Sequence, residues 1–374
     1  MTNEKGSILV VCLMLLLVAT LLAVAGMQTG SFGNRIAGNS LEGQKAFWIA
    51  EAGLQDAKDK LHTAASVDAF RNLTGLSNPV AYYGGTYTIT TYPDTFEPTR
   101  RVLVRSVGTR PGGQKTVEAT LVKFTFDLAG ALYSKSQVSV NGNQTTIIGN
   151  DACGTDNKPA IVTTVPTINF QNGNLYGNGL PSPVTDSAGV SSVTETSSSK
   201  NYPLVQYINA YKNYANVVST DANIQGSHVG DAWGANQITT NPDIDGVPQK
   251  ITLNGDPPPN VIYLDPPVNP ATGVKDVTLS GDVKGHGLLL VNGNVDISGA
   301  FNWYGVIIAS GGVKFSGVGG QSKNITGGVM AGETGVIVDI NVTGSIAIIY
   351  CSAVKDYLDD LTTVRMIAWR EVKN

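Results

Sequence analysis

KGSILVVCLMLLLVATLLAVAG, residues 5–26, carries one lysine and then no charge at all. From Ser7 to Ala25 there is no Asp, Glu, Lys, Arg, Asn, Gln or Pro, which leaves about nineteen residues able to cross a hydrocarbon layer roughly 30 Å thick as a helix. A secretory signal has a shorter apolar region closed by small residues; this segment is too long and runs straight into more helical sequence. Charge decides the orientation poorly, because Glu4 offsets Lys5 and the next basic residue is Arg35.

Beyond the apolar run the pattern becomes amphipathic. In GQKAFWIAEAGLQDAKDKL, residues 43–61, Phe47, Ala50, Leu54, Ala57 and Leu61 recur at three and four and form one packing face of the stem. Gly26, Gly30, Gly33, Gly38 and Gly43 fall in the join, each costing a helix interior about 1 kcal/mol relative to alanine. A bend or melted stretch is expected there.

The short leader ending Lys5-Gly6, the small residue Ser7, the apolar run and RIAGNSLEGQKAFWIAEAGL, residues 35–54, together resemble type IV prepilins, in particular PilX-type minor pilins. The resemblance covers about the first sixty residues. It implies cleavage by a prepilin peptidase between Gly6 and Ser7 and methylation of the new Ser7 amine. It also implies an inner-membrane precursor with a cytoplasmic N-terminus, then a place in a pilus with the exported body outside or in the periplasm. The implied partners are other minor and major pilins and a PilY-type tip adhesin. Major pilins of this class have a glutamate five residues into the mature chain, where Val11 stands here. Such an acid would offset an ammonium group in an apolar filament core, so its absence points to a tip or initiation subunit.

The chain has 374 residues, a net charge of −4, 43 glycines and only 14% charged residues, which favours turn-dense β structure. No Lys/Arg stripe interleaves with aromatics, so nucleic acid is not an expected partner. Cys12 lies in the apolar run; Cys153 and Cys351 either pair in an oxidising compartment or stay as buried thiols, and both readings stand.

Period-two alternation in TYTITTY, RRVLVRSV and KTVEATLVKFTF, with TRPGGQ as a reversal, predicts a small antiparallel sheet over residues 80–127 whose face (Val102, Val104, Val117, Ala119, Leu121) the helix covers. Further on, apolar strands start at Leu288, Val306, Val329 and Ile346, spaced by 18, 23 and 17 residues, about one solenoid coil each. GALYSKSQVSVNGN, residues 130–143, resembles GLLLVNGNVDISGA, residues 287–300, and reads as an earlier coil. The expected fold is α+β and mostly β: a leader at 1–6, a filament-core helix at 7–25, its amphipathic continuation at 26–78, and the small sheet. A parallel β-helix-like domain at 128–352 follows, with an insertion at about 155–270, and a cap at 353–374.

Chemistry is sparse. His62, His228 and His286 have no metal-ligand spacing and are expected at the surface or in loops. Neither a G-x-S-x-G elbow nor a P-loop occurs. NPDIDG offers Asn241, Asp243 and Asp245 as a weak calcium candidate, but Thr252 stands where a closing glutamate is needed, so an Asx-stabilised turn is preferred and no cofactor is expected. The reading is a non-enzymatic minor pilin at or near a filament tip, supporting assembly and adhesion. Its rivals are a tip pseudopilin of a type II secretion system and, more remotely, a polysaccharide-acting β-helix enzyme on a membrane anchor.

Overall fold

The computed structural model describes residues 4–64, 66–95, 100–124, 128–166, 168–198, 200–226, 230–244, 247–316, 322–333, 340–358, 361 and 363–372. The chain divides into two compact units, Met1–Lys123 with Val364–Asn374, and Phe124–Thr363.

The first unit is built on helix α1 (Glu4–Thr63), followed by the short helix α2 (Val67–Arg71). Helix α1 runs unbroken through all five glycines, so the melted stretch expected there does not form. Glycine weakens a helix without blocking its backbone geometry or removing a donor as proline does, so the hydrogen-bond ladder continues. The helix stops at Thr63, well short of residue 78. There Lys123 Nζ donates to the carbonyls of Leu61 (3.1 Å), His62 (3.0 Å) and Ala64, capping the negative end of the helix, and Ser66 starts α2 by accepting from Ala69 N–H.

Strands β1 (Val80–Tyr82), β2 (Gly85–Pro93), β3 (Arg101–Arg110) and β4 (Gly113–Phe124) form an antiparallel meander. Val102, Val104, Val117, Ala119 and Leu121 alternate onto one face and are buried with Ala50, Leu54, Ala57 and Leu61 of α1, with Phe47 partly buried beside them. Each buried leucine contributes about 1.5–3 kcal/mol.

The second unit winds parallel strands into a three-faced stack. In chain order these are β5 (Leu132–Ser134), β6 (Val138–Ile148), β7 (Ile161–Thr163), β8 (Ile168–Tyr176), β9 (Thr194–Thr196), β10 (Val217–Ser219) and β11 (Asn223–Gln225). An antiparallel hairpin follows, β12 (Ile238–Ile244) with β13 (Val247–Leu253). The stack then resumes with β14 (Val261–Leu264), β15 (Asp276–Ser280), β16 (Asp282–Val291), β17 (Asn294–Ile297), β18 (Ala300–Ala309), β19 (Val313–Phe315), β20 (Lys323–Ala331), β21 (Ile340–Thr343) and β22 (Ile346–Tyr350).

One face runs β10, β14, β16, β18, β20, β5, β7, β9, and a second runs β11, β15, β17, β19, β21, β6, β8. The third holds the first halves of β16, β18 and β20, then β22 and the second halves of β6 and β8. Register stacks Ile262, Leu289, Ile307, Val329, Leu132 and Ile161 in one buried column. At the corner between two faces Gly287, Gly305 and Gly327 pair in register with φ of 103°, 141° and 136°, and a Cβ on Gly305 would lie 1.9 Å from the Gly287 carbonyl oxygen. Only glycine fits that corner.

Rung order differs from chain order. The chain joins the stack in its middle at β5, winds outward to β9, returns through α3 (Leu204–Tyr211), starts again at the opposite end with β10, and winds back to the middle at β22. Residues 155–270, expected as an insertion, therefore supply rungs at both ends. Ile346, expected 17 residues after Val329 to open one more coil, pairs with Lys323 on a different face from Leu288, Val306 and Val329. Periodicity in sequence marks strands without saying which face each occupies.

After helix α4 (Ala353–Leu358), β23 (Thr363–Val372) joins the antiparallel sheet beside β4 instead of capping the stack. Arg370 of β23 donates to Glu118 Oε2 (2.6 and 2.8 Å), a carboxylate only 2% exposed that Arg105 meets from the other side at 2.7 Å. That charge gives the strand a specific partner in the sheet. The solenoid is thus inserted in the chain between two strands of the small sheet.

Candidate functional site

Two surfaces carry chemistry that the fold itself does not consume. The first is the front of α1. Leu9, Leu13, Met14, Leu16 and Leu22 are each more than 60% exposed, and none of the most apolar eighteen-residue window is buried. Exposure continues through Phe32 and Ile36 to Trp48. An apolar helix bare on every side over this length is stable only in lipid or against other apolar helices.

The second is a cleft of about 750 Å³ on the solenoid unit, walled by β13, the run Gly255–Pro259, and α4, with Tyr304 of β18 at its floor. Helix α4 buries Val354 and Leu358 and turns Asp356 and Tyr357 toward the cleft. The Tyr357 hydroxyl meets Nδ1 of His286, whose Nε2 lies 2.7 Å from Gln237 Oε1. With the glutamine oxygen accepting from Nε2, Nδ1 accepts from the tyrosine, which locks that ring in place. Burial holds the His286 imidazole below its usual pKa, so it is neutral. Burial and the Asp356 charge push the Tyr304 phenol up to about 12, and burial drives Tyr357 in the same direction.

At the edge of this cleft the two halves of the solenoid chain meet. Cys153, between β6 and β7, and Cys351, just after β22, form a disulfide with a Cα–Cα distance of 5.1 Å. Beside it Asp151 accepts from the backbone N–H groups of Cys153 (3.0 Å), Asp156 (3.0 Å) and Ser352 (2.9 Å). Burial alone would raise the Asp151 pKa; the hydrogen bonds, those of Ser352 foremost, outweigh it and leave it lowered.

Comparison with protein families matches residues 5–55 to the PilX N-terminal family. The amino-terminal segment is thus similar to that of PilX-type type IV pilins. Among solved structures, the crystal structure of the competence-associated pilin ComZ from Thermus thermophilus is similar at 14% identity over 88% of this chain and 97% of its own. The TM-score is 0.26, at which a superposition carries no argument about fold. No curated protein matches the chain.

In the segment that matches the PilX family model, Gly6 and Ser7 lie in the first turns of α1, and Val11 is on its bare apolar surface at 53% exposure. Cys12 is exposed on the same helix. Of the calcium candidates, Asn241 and Asp243 lie on β12 of the hairpin, the Asn241 amide donates to Thr252 Oγ1 (2.8 Å), and Asp245 lies outside the described residues. His286, expected at the surface, is 1% exposed, because the turn carrying Gln237 and helix α4 cover it; His62 is exposed and His228 lies outside the described residues. Sequence reasoning missed Tyr304, Tyr357 and Asp356 as a group. The only signal was the pairing of aromatic with acid in KDYLDD, which reads equally well as an ordinary surface helix.

Proposed function

We propose that this chain is a minor pilin of a type IV pilus that works as a structural subunit and not as an enzyme. It is made as an inner-membrane precursor, trimmed after Gly6 by a prepilin peptidase, and built into the filament through its apolar helix. The observation that carries this reading is the wholly exposed apolar front of α1 within a PilX-type segment. Extraction from lipid is feasible only if stem-to-stem contacts replace the lipid contacts of about nineteen apolar residues. Val11 in place of an acid supports a position at or near the tip, beside other minor pilins and a PilY-type adhesin, where assembly begins and surfaces are met.

Amino-terminal sequencing of purified filaments tests the core of this proposal. A chain beginning at Ser7 is the expected result. One that keeps Met1, stays in the membrane and is missing from filaments overturns it. Deleting the chain should lower surface piliation; lost protein secretion with normal pili would instead assign it to a secretion machine.

A further inference from the structure

The cleft on the solenoid has the composition of a ligand site. Its volume of about 750 Å³ falls in the range of small-molecule pockets. The Tyr304 side chain is largely buried, but its hydroxyl, which bonds to no other described residue, opens into the cleft that the residue lines. A hydroxyl that meets only solvent is free to exchange that water for a ligand's polar group. The groups around it limit what that partner can be. Asp356 is close enough to raise the phenol's pKa, and Asp256 acts in the same way on Tyr357. The one cation on the lining, Lys250, directs its Nζ at the Ala152 carbonyl (2.6 Å). Anions are therefore disfavoured. Among the described residues no group of His, Cys, Asp and Glu could hold a metal ion. Pro257, Pro258 and Pro259 and the Tyr357 ring add rigid apolar faces, and the rings of Tyr304 and Tyr357 stand edge to face at 5.6 Å.

We propose that this cleft binds an uncharged saccharide. The Tyr304 hydroxyl donates to one sugar oxygen, Asp356 and Asp256 accept from sugar hydroxyls, and the C–H faces of the sugar ring rest on the proline run and Tyr357. The phenol stays protonated throughout the physiological range and remains a donor. The site is set before binding, because His286 and Gln237 hold Tyr357 from below and the disulfide fixes the Cys153 wall. This inference does not depend on pilus assembly.

The test uses the full chain purified in a detergent without a glycoside headgroup. It is titrated by calorimetry with neutral disaccharides (lactose, maltose, cellobiose, N,N′-diacetylchitobiose) and with acidic ones (sialyllactose, digalacturonate). Saturable binding of at least one neutral sugar is expected, weakened about tenfold by Tyr304→Phe and by Asp356→Asn and unchanged by Lys284→Ala, which lies away from the cleft. Asp356 is on the surface, so its variant remains informative even if the Tyr304 variant fails to fold. No binding of any neutral sugar, binding of acidic sugars alone, or binding that survives both cleft variants would overturn the proposal.

Discussion

The two units solve the same problem in opposite ways. The antiparallel sheet cannot cover its own apolar face, so Val104 and Leu121 are sealed by Ala50 and Leu54 of α1, contributed from outside the sheet. The parallel stack covers itself: Leu289, Ile307, Val329 and Leu132 each lie against the next rung. The contrast teaches where tolerance should lie. A solenoid is held together by contacts between neighbours, so damage at one rung reaches the rungs on either side, whereas the small sheet has a helix to absorb a change.

The comparison can be broken most forcefully at the glycine corner. Gly305→Val adds a Cβ in a left-handed backbone position against a neighbouring carbonyl, and should cost the solenoid at least about 4 kcal/mol while leaving the helix-and-sheet unit folded. Limited proteolysis with mass mapping would show cleavage confined to residues 124–363. If both units failed together, the division into two folding units would be wrong.

Cutting the staple comes next. Cys153→Ser removes a link between residues 198 apart in sequence and should lower solenoid stability by about 2–5 kcal/mol, seen as an earlier denaturant midpoint that reductant reproduces in the wild-type chain. An unchanged midpoint would mean that the strand pairing of β5 and β6 with β20, β21 and β22 holds the seam unaided.

Acid gives the smallest and most selective difference. His286 has a lowered folded pKa, so its contribution is fully present above the unfolded value near 6.5 and is lost as pH falls through the folded value, at up to about 1.4 kcal/mol per pH unit. Glu118 in the antiparallel sheet is also lowered: burial would raise it, but the hydrogen bonds from Arg370 and Arg105 prevail. Its contribution is lost only below the ordinary carboxylate range near 4.3. Unfolding followed from pH 7 to 5 should thus weaken the solenoid and spare the sheet, and His286→Gln should flatten the solenoid's slope.

Local pattern explains which of these features could be read from sequence. The stem, the alternation through Val102 to Leu121, and the likeness of residues 130–143 to 287–300 all arise from short-range periodicity, and β5 and β6 indeed occupy the same two faces as Leu288–Val291 and β17. What escaped depends on distant residues. Lys123 capping Leu61 and His62, Arg370 reaching Glu118, and Tyr357 lying over His286 join positions about sixty to two hundred and fifty apart. No spacing rule encodes such meetings. The place of β23 failed for the same reason, since its alternation suits either sheet.

The polypeptide enters and leaves the solenoid in its middle rungs and not at opposite ends. Any pull transmitted through the two connecting segments is therefore borne by the rungs around β5 and β22, where the cystine lies, while the outermost coils carry almost no tension. Coils at either extremity could be lengthened, shortened or frayed without disturbing the rungs at which the chain enters and leaves.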